Sequence, residues 1–193
     1  MKTVTNAENM IEIKKSKFIA SIFNVTNLED IDKYMEEVKE KYPRARHYTY
    51  AYILSDTERS SDDKEPTGTA GTPMLNVLKN NNLSNVLCVV TRYFGGIKLG
   101  VGPLTRAYVK SITEVLKKCQ FIELEEGYNV EIIFSYNNEA KINRILNNST
   151  IIKKEFNEDI TYLVAINNET LDKLKEENIN LSIINKAYIK KGS

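Results

Sequence analysis

One run of residues constrains the fold of this 193-residue chain more than any other segment. Residues 85–94 form its most strand-like stretch, and the centre, residues 86–90, reads Val-Leu-Cys-Val-Val. A strand with one solvated face alternates apolar and polar residues, whereas a strand covered on both faces is apolar throughout. We therefore expect this strand to be buried on both faces inside an α/β domain.

Periodic apolar residues predict the other elements of the first 125 residues. Apolar positions from Leu28 to Tyr42 recur every three or four residues, which indicates a helix capped by Thr26 or Asn27 and stopped by Pro43. The remaining expectations are strands at 10–14, 17–25 and 47–54, a polar loop at 55–71, a helix with Thr72 as N-cap, and a helix that starts at Pro103.

The pattern changes after residue 125, and its element order defines a second domain. The sequence predicts strand 128–135, helix 138–146, strands 151–157 and 160–167, helix 170–177 and strand 181–189. The order βαββαβ is that of a ferredoxin-like domain. The chain is therefore predicted to be an α+β protein with two domains, at residues 1–125 and 126–193.

Composition and motif searches exclude several classes of protein. No segment reaches the roughly 18 apolar residues of a membrane span, and the first 15 residues lack the apolar core of a signal peptide. The chain has two cysteines and one histidine, so no Cys/His metal motif can form. We expect a cytoplasmic protein without a membrane partner and without a cofactor. The net charge of +1 does not point to any particular class of partner.

The middle of the first domain is rich in glycine and free of acidic residues. Six of the eight glycines lie between Gly68 and Gly102, and residues 66–113 contain no Asp or Glu. The two glycine loops precede the helix starts expected at Thr72 and Pro103. A helix N-terminus offers unpaired N–H groups and a partial positive charge, and glycine lets the backbone approach a ligand closely. This combination predicts a site for phosphate or carboxylate.

The candidate anion or nucleic-acid site combines basic, hydroxyl, glycine and aromatic residues. They are Arg46, His47, Tyr50, Thr67, Gly68, Thr69, Gly71, Thr72, Arg92, Gly95, Gly96, Lys98, Gly100, Gly102 and Arg106. Cations beside aromatic rings suit nucleic acid, because cations meet phosphates and rings stack on bases. Two alternatives stay open: the glycines serve turns and close packing, and residues such as Tyr50 pack in the core.

An acidic trio, Asp62, Asp63 and Glu65, comes immediately before the first glycine loop. These carboxylates could hold Mg²⁺ beside a bound phosphate, or one of them could act as a general base. The alternative is a solvated loop whose charge balances Arg59 and Lys64.

Four motifs resemble the IMPACT family, including its bacterial YigZ-like members. They lie at residues 15–20 (KSKFIA), 46–52 (RHYTYAY), 62–73 (DDKEPTGTAGTP) and 90–100 (VTRYFGGIKLG), the last followed by Arg-Ala-Tyr at 106–108. Lys64 stands where a glycine is usual in the family, and Pro103 where a second glycine is common.

The resemblance implies a fold and a field of function. The first domain is similar to a ribosomal-protein fold shared with a translocation-factor domain and GHMP-type kinases, and the second is similar to the last domain of that factor. Eukaryotic members bind the activator of an amino-acid-starvation kinase and regulate translation. We expect a non-enzymatic protein that contacts RNA or a ribosome-associated surface. The alternatives are an enzyme for a phosphorylated or carboxylated small molecule, with the acidic trio as metal or base site, and a protein-docking module.

Overall fold

The computed structural model describes residues 1–147 and 149–191. The chain divides into two compact units, Met1–Ile122 and Glu123–Ser193. The sequence predicted this boundary three residues later, between 125 and 126. Two sheets and helices packed on them make this a mixed α+β protein, as predicted. None of the described helices is long and apolar enough to cross a membrane.

The first unit contains nine elements and the start of a tenth. They are β1 Lys2–Val4, β2 Ala7–Ile13, β3 Ser16–Asn24, α1 Leu28–Lys41, β4 His47–Ile53, β5 Glu58–Ser61, α2 Gly71–Asn80, β6 Val86–Tyr93 and α3 Val101–Leu116. The prediction missed β1 and β5. β1 has only three residues, and β5 is a polar Glu-Arg-Ser-Ser edge strand inside the segment that we expected to be a loop.

The central strand of the first sheet is β6, and its prediction is confirmed. The sheet order is β2-β3-β6-β4-β5, with antiparallel neighbours, and every residue from Val86 to Arg92 is buried. Successive side chains of a strand point to opposite faces. Cys88 and Val90 therefore pack in the cluster that includes α2 and α3, whereas Leu87 and Val89 pack in the cluster that includes α1.

The helix starts differ in part from the prediction. Asn27 caps α1, because its side-chain oxygen accepts a hydrogen bond from the backbone N–H of Asp30. Thr72 is not the N-cap of α2, which begins at Gly71 after Ala70, and α3 begins two residues before Pro103. The two predicted starts are wrong for the same reason. They rest on capping and proline signals, but neither helix N-terminus has a side chain that caps it.

The second unit has the predicted ferredoxin-like topology. Its elements are β7 Phe121–Phe134, a 3₁₀ turn at Tyr136–Asn138, α4 Glu139–Ile145, β8 Thr150–Phe156, β9 Ile160–Asn167, α5 Asn168–Glu176 and β10 Asn180–Lys190. The strand order β10-β7-β9-β8 places the fourth strand beside the first and the third beside the second, with antiparallel pairs throughout. One sheet face packs on α4 and α5 through residues such as Val130, Ile132 and Val164.

Candidate anion-binding site

A pocket of about 400 Å³ lies in the first unit, where the ends of β4 and β6 meet the start of α3. Its walls combine cations with apolar side chains. The lining residues are Arg46, His47, Lys64, Glu65, Pro66, Arg92, Phe94, Lys98, Leu99, Gly100, Val101 and Leu104. Four of these side chains are cationic and one is a carboxylate, so the lining is strongly basic.

The inner wall of the pocket is a buried ion pair. The guanidinium of Arg92 donates from Nη1 to Oε1 of Glu65 at 2.5 Å, and the hydroxyl of Tyr108 donates to the same oxygen at 2.7 Å. The side chains of Arg92 and Glu65 are only 7% and 4% exposed. Burial and the neighbouring Glu65 carboxylate raise the pKa of Tyr108 far above its ordinary value, so the hydroxyl stays a donor.

Strand pairing places Arg92 at this wall. Arg92 lies on the same face of β6 as Val90, and its cross-strand neighbours are Phe18 on β3 and His47 on β4. The guanidinium lies 5.3 Å from the centre of the Phe18 ring, a cation–π distance. The sheet therefore fixes the position of a charge that would otherwise be costly to bury.

The pocket rim carries three exposed cations, Arg46, Lys64 and Lys98. None of the three forms an ion pair with a carboxylate within the described residues. The guanidinium carbons of Arg46 and Arg92 lie 5.5 and 5.8 Å from the centre of the Phe94 ring, which is 39% exposed. The rim thus offers unpaired positive charge beside an accessible aromatic side chain.

His47 holds the acidic loop against the sheet. Its Nδ1 lies 2.7 Å from the carbonyl oxygen of Asp63. Because a carbonyl can only accept, Nδ1 is the protonated nitrogen. The other ring nitrogen lies 3.8 Å from Oε1 of Glu65, beyond hydrogen-bond distance. His47 therefore has a structural role in addition to its place in the pocket lining.

The first glycine loop is bound by a carboxylate of the chain itself. Asp62 accepts hydrogen bonds from the backbone N–H groups of Gly68, Ala70 and Gly71 at 2.8–2.9 Å. Burial favours the neutral acid, but the three N–H donors outweigh it and hold the pKa of Asp62 below its ordinary value. An internal anion thus already binds the loop that we predicted as an anion site.

The rest of the acidic trio also has partners within the protein. The carboxylate of Asp63 accepts from the backbone N–H of Tyr48 at 2.6 Å, and Glu65 pairs with Arg92. No group of three or more His, Cys, Asp or Glu side chains in the described part of the chain could hold a metal. All three acids therefore organise the loop and the pocket wall, which gives no support to the metal or base hypothesis.

Asp62→Ala is expected to lower the free energy of unfolding by about 2 kcal/mol, because three backbone donors lose their acceptor. Asp62→Asn keeps one acceptor oxygen and should cost less. A depressed folded-state pKa stabilises the fold above the unfolded value of about 3.9, and this stabilisation is lost as the pH falls through the folded value. Urea titrations of Asp62→Asn should therefore show a weaker loss of stability below about pH 4.

The control for this prediction is Asp56→Ala, which removes an exposed acid at the turn between β4 and β5. Its effect should stay within about 0.5 kcal/mol, as for ordinary surface positions. Equal effects of the two alanine variants would mean that the Asp62 hydrogen bonds contribute nothing to stability.

The glycines of the second loop have separate roles. Gly95 touches the turn between β2 and β3, since an added Cβ would lie 2.0 Å from the carbonyl carbon of Lys15. Gly96 and Gly100 have φ of 86° and 81°, a region that favours glycine. Of these three glycines, only Gly100 lines the pocket. The packing and turn roles that the sequence left open therefore apply here too.

Several predicted site residues lie outside the pocket lining. These are Tyr50, Thr67, Gly68, Thr69, Gly71, Thr72, Gly95, Gly96, Gly102, Arg106, Asp62 and Asp63. Tyr50 packs in the cluster beneath α1, on the sheet face opposite to His47, because the two are three positions apart on one strand. Thr69 donates its hydroxyl to the carbonyl of Pro66, and Arg106 is exposed with Nη1 beside Gly102 in the first turn of α3.

The structure brings six predicted residues to the pocket: Arg46, His47, Glu65, Arg92, Lys98 and Gly100. Sequence reasoning missed Lys64 and Phe94. Phe94 follows Arg92 by two positions, so strand alternation could have placed both on one face. Lys64 has φ of 66°, so a lysine adopts the left-handed conformation at this turn.

Comparison with known proteins places these residues in a family. The Impact N-terminal domain matches residues 14–116, which span the whole pocket. IMPACT family member YvyE of Bacillus subtilis is 37% identical over 89% of this chain and 78% of its own length. An IMPACT family member of Haemophilus influenzae is 35% identical over 78% of this chain and 85% of its own.

A solved structure agrees over both units. The crystal structure of a hypothetical protein covers 95% of this chain and 97% of its own, with a TM-score of 0.69 and 29% identity. Sequence and fold therefore agree along almost the full length. The chain belongs to the IMPACT family.

Proposed function

We propose that this protein is a translation-linked binding protein that holds RNA at the basic pocket and works by binding rather than by catalysis. The observation that carries the proposal is the charge of the lining: four cations face one carboxylate, and that carboxylate is already paired with Arg92. The link to translation rests on membership of the IMPACT family. The resemblance of the sequence motifs to that family already implied this link.

The chemistry of the rim favours RNA. Arg46, Lys64 and Lys98 are exposed and lack carboxylate partners within the described residues, so they are available to phosphates. The accessible ring of Phe94 lies next to Arg46, and an aromatic face beside a cation suits an unpaired base. We therefore expect single-stranded RNA to bind with little sequence preference.

Arg46→Ala and Lys98→Ala are expected to weaken RNA binding and to flatten its salt dependence. Each phosphate contact that is lost should lower the slope of log affinity against log salt by about 0.7 for a single strand. Fluorescence anisotropy with a labelled single-stranded RNA, titrated between about 50 and 200 mM salt, measures both quantities. Both residues are exposed, so neither variant should change the melting temperature appreciably.

Lys39→Ala is the matched control. It removes an exposed cation from the last turn of α1, which packs on the opposite face of the sheet from the pocket. Its affinity and salt slope should equal those of the unmodified protein. The proposal fails if the unmodified protein does not bind RNA at about 50 mM salt, or if Lys39→Ala weakens binding as much as Lys98→Ala.

A further inference from the structure

We propose that the pocket recognises one terminal phosphate, a phosphomonoester, at the start of α3. The inference rests on the function proposed above and goes further, because it names the group that the pocket takes. It is carried by three features of the first unit: the different N-termini of α2 and α3, the hydrogen bonding of Arg92, and the charge of the lining.

The N-termini of α2 and α3 are satisfied differently. Both follow glycine loops, and neither has an acidic residue in its first turn or a capping side chain. At α2 the carboxylate of Asp62 binds three N–H groups, including that of Gly71. At α3 no such carboxylate is provided within the described residues, and Gly100 and Val101 instead line the basic pocket. The α2 loop shows that a glycine-containing helix start of this chain binds an oxyanion through backbone N–H groups.

Arg92 supplies an independent indication of a ligand. Its side chain is only 7% exposed, and its Nε is buried without a hydrogen-bond partner in the described protein. Buried polar groups are nearly always hydrogen-bonded, so each exception requires an explanation. Glu65 accepts a hydrogen bond from Nη1 of this guanidinium. The Nε–H group of Arg92, which belongs to the pocket wall, is left without an acceptor. An anion bound in the pocket would supply acceptors for the donors that Glu65 does not use.

The depth and charge of the pocket favour a terminal phosphate over a phosphodiester within an RNA strand. A phosphodiester within an RNA strand is flanked by a sugar on each side, and the exposed cations of the rim suffice to contact it. The buried guanidinium of Arg92 can be approached only by a group that enters the pocket. A phosphomonoester carries a charge of about −1.5 to −2 at pH 7, against −1 for a diester, and matches a lining with three more cations than carboxylates.

The experiment compares three forms of one short single-stranded RNA, with a 5′-phosphate, with a 3′-phosphate, and with hydroxyl groups at both ends. A phosphorylated form should bind at least about tenfold more tightly than the hydroxyl form, as expected for two or three charge-assisted hydrogen bonds. A nucleoside monophosphate should compete, and the nucleoside should not. The phosphorylated form that binds more tightly identifies the end of the RNA that the pocket recognises.

Two variants locate the site. Lys98→Ala, at an exposed position, should reduce the preference for the phosphorylated forms, whereas Lys39→Ala should leave it unchanged. Arg92→Lys should reduce the preference further, and a melting curve shows whether this buried variant is folded. If it is not folded, Lys98→Ala decides the question alone.

The outcomes separate this inference from the proposed function. Equal affinity for all three RNAs overturns the terminal-phosphate site but leaves RNA binding intact. Binding of a nucleoside monophosphate in a Lys98-dependent manner, without any binding of RNA, supports the site and refutes the RNA function. Absence of binding by every probe overturns both.

Discussion

Gly95→Ala is expected to lower the free energy of unfolding by about 3 kcal/mol, a large share of the 5–15 kcal/mol of a typical domain. An added Cβ would lie 2.0 Å from the carbonyl carbon of Lys15, 2.2 Å from its oxygen and 2.4 Å from the nitrogen of Ser16. All three are backbone atoms, so no side-chain rotation relieves the overlap. The turn is already constrained, since Lys14 and Lys15 both have positive φ.

Gly102→Ala is the matched control in the same glycine-rich segment. Gly102 lies in the first turn of α3, and the nearest atom to an added Cβ is the mobile Nη1 of Arg106 at 3.5 Å. Alanine is favoured over glycine in a helix by up to about 1 kcal/mol, so stability should stay constant or rise slightly. Urea unfolding measures both variants. Similar losses at both positions would contradict the assigned packing role of Gly95.

Local periodicity was sufficient for most of the fold. The helix predicted from Leu28 to Tyr42 is observed as Leu28–Lys41, and the strand predicted at 85–94 is observed as Val86–Tyr93. These elements bury continuous apolar stripes or runs, which are visible in a short window of sequence. The strand Glu58–Ser61 has no such signal, because pairing with β4 rather than its own composition defines it.

The site was predictable only in part, because its geometry depends on contacts between distant segments. Arg92 and His47 were both identified as basic residues, but only strand register shows that they are neighbours and that Tyr50 faces away. The hydrogen bonds from Gly68 and Gly71 to Asp62 depend on the path of an irregular loop. Charge counting found the surplus of cations, but it could not show which loop binds its own carboxylate.

The second large effect is expected at the buried ion pair. Glu65→Leu removes the only carboxylate that pairs with Arg92 in the described residues, and it leaves a buried cation without a partner. Such a change costs about 3–5 kcal/mol. The hydroxyl of Tyr108 also loses its acceptor, so all variants of the series are best compared in a Tyr108→Phe background. Phenylalanine keeps the edge-to-face contact with Phe18 at 5.3 Å.

The double variant Glu65→Leu with Arg92→Met should recover most of the stability that the single variant loses. Apolar residues of similar volume often replace a buried ion pair without loss of stability, because the desolvation of both charges is avoided. Urea unfolding of the two single variants and the double variant forms a double-mutant cycle that measures the coupling directly. Additive effects would show that Arg92 is stabilised by groups other than Glu65.

Comparison of stability with binding then separates the two roles of the pair. If the pair served packing alone, the double variant would be folded and would bind RNA as tightly as the Tyr108→Phe background. We expect instead a folded protein with weaker RNA binding, because the Arg92→Met substitution removes the deepest cation of the pocket. Glu65→Gln, which keeps Arg92 and an acceptor oxygen, should bind RNA at least as tightly as the Tyr108→Phe background. A folded double variant with undiminished affinity would place the RNA elsewhere on the molecule.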